Sequence, residues 1–199
     1  MVGTPFGDFR LLRPIGQGGM AEVFLAQRSG PQGFRKQLVI KRLRPKWTTS
    51  ETHVALFRKE ARYAALIDHP NIAHVSDFGC VDDRYYIAME YVDGLTLQEF
   101  LDVSGPLRSG VAARIMIDVL DALEAIHTTR DLGGRLLGLV HRDLTPRNVM
   151  VTRKGSVKLL DFGIAIAADE INPADAGTRK YMAPEQVRGE VVGRRADVY

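Results

Sequence analysis

Apolar residues fill Leu38-Val39-Ile40 and return at Leu43, with Lys41 set inside the run. A short, branched, apolar stretch of this kind predicts a buried strand over residues 37–43. Further on, Val54, Phe57, Ala61 and Ala64 recur at helical spacing. Thr48-x-x-Glu51 has the form of a capping box, so the helix is expected to open there and to be over by His69-Pro70. Residues 22–26 fit a strand or a helix equally well. Up to about residue 88 the chain otherwise alternates between strand-like runs and turns. Beyond that point the period changes. Thr96-x-x-Glu99 caps a second expected helix, and Ile115, Val119, Leu123 and Ile126 form the buried stripe of a long third one. Gly133-Gly134 then marks a surface turn.

Composition narrows the class without naming a chemistry. The chain has 199 residues, 45% of them hydrophobic, and a formal net charge of +3, values typical of a globular protein with a sizeable core. A single cysteine, Cys80, excludes an internal disulfide framework and suits a reducing compartment. It is expected as a small buried apolar side chain. The histidines at 53, 69, 74, 127 and 141 show no metal-ligand spacing. The N-terminus lacks the regions of a signal peptide, no eighteen apolar residues run together, and no repeat or low-complexity tract is visible. Lys36, Lys41, Arg42, Arg44 and Lys46 could form a basic patch for nucleic acid. Aromatic interleaving is nearly absent there and Lys41 lies within an apolar run, so no nucleic-acid partner is expected.

The chemistry-bearing residues come in an ordered series. His141-Arg142-Asp143-Leu144-Thr145-Pro146-Arg147-Asn148 is followed by Asp161-Phe162-Gly163 and then by Ala183-Pro184-Glu185. Together these resemble the catalytic loop, the metal-binding loop and the end of the activation segment of a protein kinase. The resemblance implies that Asp143 accepts the substrate hydroxyl proton, and that Asn148 and Asp161 hold Mg²⁺ against the ATP phosphates through hard oxygen ligands. It implies that His141 packs beneath the metal loop and that Thr178, near the catalytic aspartate, marks serine/threonine preference. Thr145 stands where serine/threonine kinases usually carry lysine. Arg147 is positioned to supply the cation instead, as in many tyrosine kinases.

The same resemblance extends to the N-terminal half. Ile15-Gly16-Gln17-Gly18-Gly19-Met20-Ala21-Glu22-Val23 matches the kinase glycine loop, with Ala21 where a third glycine is usual. Taken alone these glycines also satisfy a dinucleotide-binding fingerprint, and the local sequence does not decide. The downstream motifs decide it in favour of a kinase. Lys41 then matches the family's strand lysine, with Val39 where alanine is common, and Glu60 is its expected ion-pair partner on the regulatory helix. Met89-Glu90-Tyr91-Val92-Asp93-Gly94 resembles the hinge. Backbone groups of Glu90 and Val92 are implied as adenine partners, Met89 as the back of the pocket, and Ile15, Val23, Val39 and Met150 as the residues that sandwich the ring.

The expected fold is therefore α+β and bilobal. Residues 1–88 would form a small antiparallel lobe with one helix, residues 89–94 the hinge, and residues 95–199 a mainly helical large lobe that is incomplete at the C-terminus. Residues 195–199 resemble the start of the family's central large-lobe helix, and the resemblance covers essentially the whole sequence. The segment over residues 164–177 contains no serine, threonine or tyrosine, so control by activation-loop phosphorylation is not expected there. The implied protein is a bacterial-type signalling kinase that transfers the γ-phosphoryl group of Mg-ATP to serine or threonine hydroxyls of protein substrates, located in the cytoplasm, with membrane anchoring through a region after residue 199 left open. The alternative is a pseudokinase that binds nucleotide as a scaffold.

Overall fold

A computed structural model describes residues 3–161 and 179–199. The chain is α+β and divides into two compact units, Met1–Ala65 with His74–Tyr91, and Leu66–Ala73 with Val92–Tyr199.

The first unit is built on a six-stranded antiparallel sheet. In chain order its strands are β1 (Thr4–Phe6), β2 (Phe9–Gln17), β3 (Ala21–Ser29), β4 (Arg35–Leu43), β5 (Val75–Val81) and β6 (Arg84–Glu90), arranged β1-β2-β3-β4-β6-β5. The ambiguous residues 22–26 are thus strand, because they pair with β2 on one side and β4 on the other. The β5–β6 connection is a two-residue turn with Asp82 and Asp83 at φ 48° and 58°, the positive-φ pair that matches the twist of a hairpin. Leu38, Val39 and Ile40 are all buried, since β4 is central and covered on both faces. One face packs Ala26, Leu38, Ile40 and Ala88 against Phe6, Phe9 and Tyr86. Both phenylalanine rings meet Tyr86 edge-on, at 5.6 and 5.3 Å between centroids, the geometry their quadrupoles favour.

Helix α1 (Glu51–Ala64) buries Phe57, Glu60, Ala61 and Ala64. Its start differs from expectation. The N-cap is Ser50, not Thr48. The Thr48 hydroxyl instead donates to the Pro45 carbonyl at 2.9 Å, so a preceding turn has captured the side chain that the capping box requires. Cys80 is also corrected. It is exposed, because β5 is an edge strand of the sheet.

The second unit contains a three-stranded antiparallel sheet of β7 (Gly94–Thr96), β8 (Val149–Thr152) and β9 (Val157–Leu159). A Cβ at Gly94 would run into the Val151 carbonyl, so glycine is what allows β7 to lie on β8. Helix α2 (Leu97–Ser104) begins with the expected box: the Glu99 amide donates to Thr96 Oγ1 at 3.1 Å, and the Thr96 amide donates to the Glu99 carboxylate at 2.8 Å. Helix α3 (Ser109–His127) buries all four residues of the expected stripe together with Asp118 and Ala122. Its other side leaves Met116, Ile117 and Leu120 about half exposed. The turn at residues 130–136 closes on an Arg130–Leu136 bridge, with Gly134 at φ 81°. Helix α4 (Pro184–Arg188) and a 3-10 turn (Arg194–Asp197) follow, and Val140, Ala183, Val192 and Ala196 pack together around them.

Candidate functional site

In the first unit, alternation along the strands sorts the expected nucleotide residues. Val23 pairs with Lys41, Lys41 with Ile87, and Val39 with Met89, so Val23, Val39, Lys41 and Met89 lie on one face of the sheet. Glu22 lies on the other. Its carboxylate receives the Arg42 guanidinium at 3.0 Å, so of Glu22 only the backbone belongs to the glycine loop. Lys41 Nζ donates to Glu60 Oε1 at 2.7 Å, with the two side chains only 12% and 10% exposed. The central strand and the buried side of α1 hold the two ends of this pair.

The glycine loop spans the β2–β3 turn, where the Gly18 amide donates to the Ala21 carbonyl at 2.9 Å. A Cβ at Gly19 would meet nothing within 4 Å, and one at Gly18 only the Ala21 oxygen at 3.8 Å. The protein itself does not need glycine here, and the open space suits close approach of a phosphate to the backbone. Ile15 is exposed on β2, and Gly16 faces Val23 across the ladder. Gln17 is exposed and Met20 half-buried, while the Met20 carbonyl accepts from the Arg44 amide at 3.0 Å. Glu90 ends β6, and its amide donates to the His74 carbonyl at 2.8 Å.

The second unit assembles the catalytic-loop residues. Asn148 Nδ2 donates to the Asp143 backbone oxygen at 2.8 Å and to Asp143 Oδ2 at 2.9 Å. Both partners are pure acceptors, which fixes the amide's orientation and turns Asn148 Oδ1 the other way. The backbone oxygen of Asn148 accepts from the Leu160 amide at 2.7 Å, next to Asp161. An amide oxygen and a carboxylate are the hard donors that a Mg²⁺ ion takes, so the residues present fit the ion. Val92 is buried, and Met150 lies half-buried on β8 opposite Thr96 and Lys158. Thr145 is buried and Arg147 exposed. Thr178 lies outside the described residues, as do Phe162, Gly163 and the segment over residues 164–177.

Three residues beyond the motifs hold the loop in shape. Asp197 is buried, with Oδ1 accepting from the Arg142 amide at 2.7 Å and Oδ2 from the His141 amide at 2.8 Å. His127, at the end of α3, places Nε2 2.7 Å from the same Oδ2. Against an ionised carboxylate that nitrogen is the donor. Gln186 donates from Nε2 to the Arg142 carbonyl at 2.7 Å and accepts the Ala183 amide on Oε1 at 3.0 Å. Arg142 sits at φ 67°, a left-handed conformation that costs a non-glycine residue about 1–2 kcal/mol. Its amide and carbonyl are both gripped, which is what sustains that conformation. No local pattern around residues 127, 186 or 197 signals this role. His141 is fully buried, and its imidazole is held below the ordinary histidine pKa, first by desolvation, against the opposing charge of Asp197.

The family model described as a protein kinase domain matches residues 9–199. This chain belongs to the protein kinase family. It is 41% identical to the tyrosine-protein kinase MasK of Myxococcus xanthus, over 98% of this chain and 31% of that protein. It is 36% identical to the serine/threonine-protein kinase PrkC of Bacillus subtilis, over 97% of this chain and 29% of that protein. The PknI kinase domain of Mycobacterium tuberculosis superposes with a TM-score of 0.72 at 33% identity, covering 100% of this chain and 71% of that one. The chain thus spans about three-tenths of the length of these curated relatives, and its fold is that of bacterial kinase domains. Among the described residues, no helix is long and apolar enough to cross a membrane.

Proposed function

We propose that the protein transfers the γ-phosphoryl group of ATP to serine or threonine hydroxyls of protein substrates, with Asp143 as proton acceptor. The observation that carries this reading is the pair of hydrogen bonds from Asn148 to Asp143, which fixes the rotation of a carboxylate on a strained and anchored loop. In the transfer, the acceptor oxygen forms a bond to the γ-phosphorus, the bond from that phosphorus to ADP breaks, and the hydroxyl proton passes to Asp143. Lys41, oriented by Glu60, holds the non-transferred phosphates, and the backbone of residues 16–21 covers them. Asn148 and Asp161 would hold Mg²⁺, whose chemistry when bound is neutralisation of phosphate charge. Residues 1–88, 89–94 and 95–199 act as small lobe, hinge and large-lobe residues. The protein works in the cytoplasm, in signalling.

Serine/threonine specificity is supported by the name of PrkC, while the name of MasK points to tyrosine. The test is Mg-ATP phosphorylation of a mixed protein substrate by the full-length protein, followed by phosphoamino-acid analysis. Phosphoserine or phosphothreonine is expected, and phosphotyrosine alone would overturn the specificity. A pseudokinase is the second reading, favoured by Thr145 in the place of the usual lysine. Activity gained only in Thr145→Lys would establish it.

A further inference from the structure

We propose that Trp47 is a positioning residue for the glycine loop, tying that loop to helix α1. The inference rests on the nucleotide role given to the loop above. Its observations lie wholly within the first unit. Three successive loop carbonyls are taken by the segment that follows β4. Gly18 O accepts from Arg44 Nη1 at 3.4 Å, Gly19 O from Trp47 Nε1 at 3.1 Å, and Met20 O from the Arg44 amide at 3.0 Å.

In a trans peptide the N–H lies opposite the C=O. Drawing these three carbonyls toward residues 44–47 therefore aims the N–H groups of Gly19, Met20 and Ala21 away from that segment. Successive N–H groups presented together form an anion-binding nest. Gly18 and Gly19 give the loop little order of their own, since glycine has the largest backbone freedom to lose. The indole supplies a fixed donor in its place.

The indole is itself fixed at its base. Its ring stacks on His53 at 3.8 Å and 15°, and Lys46 Nζ lies 4.6 Å from the ring centre. His53 Nδ1 is 2.7 Å from the Ser50 hydroxyl at the cap of α1. Helix α1 carries Glu60, the partner of Lys41. The loop that covers the phosphates and the helix that orients the phosphate lysine are thereby linked through one side chain. Trp47 is the only tryptophan in the chain, and none of the kinase motifs includes it.

Trp47→Phe isolates the donor, because a phenyl ring keeps the stack on His53 and the contact with Lys46 while removing Nε1–H. In the full-length protein, KM for ATP is expected to rise about fivefold, equivalent to about 1 kcal/mol, with kcat within about twofold. That split is the signature of lost binding shared by ground and transition states. Amide hydrogen exchange in the nucleotide-free protein is the second readout. Gly18 and Arg44 amides should exchange about fivefold faster in the variant, and residues 54–64 at the wild-type rate. Unchanged exchange at Gly18 and Arg44 overturns the strap. Faster exchange with KM unchanged overturns its role in positioning. Should the wild type bind no ATP, the proposed function fails, and the exchange comparison still decides whether Trp47 orders the loop.

Discussion

Replacing Asp197 by asparagine tests the anchor that holds the catalytic loop. The carboxylate offers one oxygen to the Arg142 amide and the other to the His141 amide and His127 Nε2, at 2.7, 2.8 and 2.7 Å. An amide side chain has only one oxygen. Whichever way the substituted side chain turns, its NH₂ faces at least one buried N–H, so one charge-assisted bond is lost and a donor is left opposed to a donor. The lost bond is worth about 1.5–3 kcal/mol and the unsatisfied amide about 1–3 kcal/mol. Partial relaxation makes about 3 kcal/mol the expected loss. For a chain of 199 residues that lowers the melting temperature by about 6–12 °C. Releasing Arg142 from φ 67° also loosens the backbone leading to Asp143, so kcat should fall further than KM rises. Differential scanning calorimetry and steady-state kinetics on the full-length protein read both effects. A melting temperature within about 2 °C of wild type would refute the account of the anchor.

Three further outcomes follow from single side chains. Glu60→Ala removes the carboxylate 2.7 Å from the Lys41 ammonium, which is only 12% exposed, and should cost about 3 kcal/mol of stability while raising KM for ATP; wild-type values in denaturation and kinetics would contradict the pair. His141, held neutral by burial, makes the unfolded chain the better proton binder below its ordinary pKa of about 6.5. Stability should therefore be fully present above that pH and decline as pH falls through it, by at most about 1.4 kcal/mol per unit until the folded pKa is passed; denaturation of His141→Gln, which lacks the titrating ring, should show less of this slope. Cys80, being exposed, should react with Ellman's reagent in the native protein at close to the rate of a free thiol, and Cys80→Ser should melt within about 1 °C of wild type.

Elements whose reasons are local were legible in the sequence. The buried strand around Lys41 shows itself through three adjacent apolar residues, and the α2 cap through a Thr and a Glu at box spacing that have no competing partner. Where another group competed, the local reading failed. Thr48 and Glu51 had the same spacing, but the Pro45 carbonyl took the threonine hydroxyl. Cys80 was misplaced because burial of a cysteine depends on whether its strand lies at the centre or the edge of a sheet, and strand order is not a local property. The anchor formed by His127 and Asp197 spans 70 positions. Nothing in the residues flanking either one marks it, since the carboxylate acquires its meaning only when the chain returns to the catalytic loop.

The central claim is that Asp143, held by Asn148, accepts a proton during phosphoryl transfer from Mg-ATP. Single-turnover transfer from γ-labelled ATP to a protein substrate, comparing full-length wild type with Asp143→Asn, tests it most directly. The account predicts transfer by the wild type, and a loss of at least about a hundredfold in the variant, the lower range for a positioned general base, with ATP affinity within about threefold. Equal rates in the two proteins would contradict it.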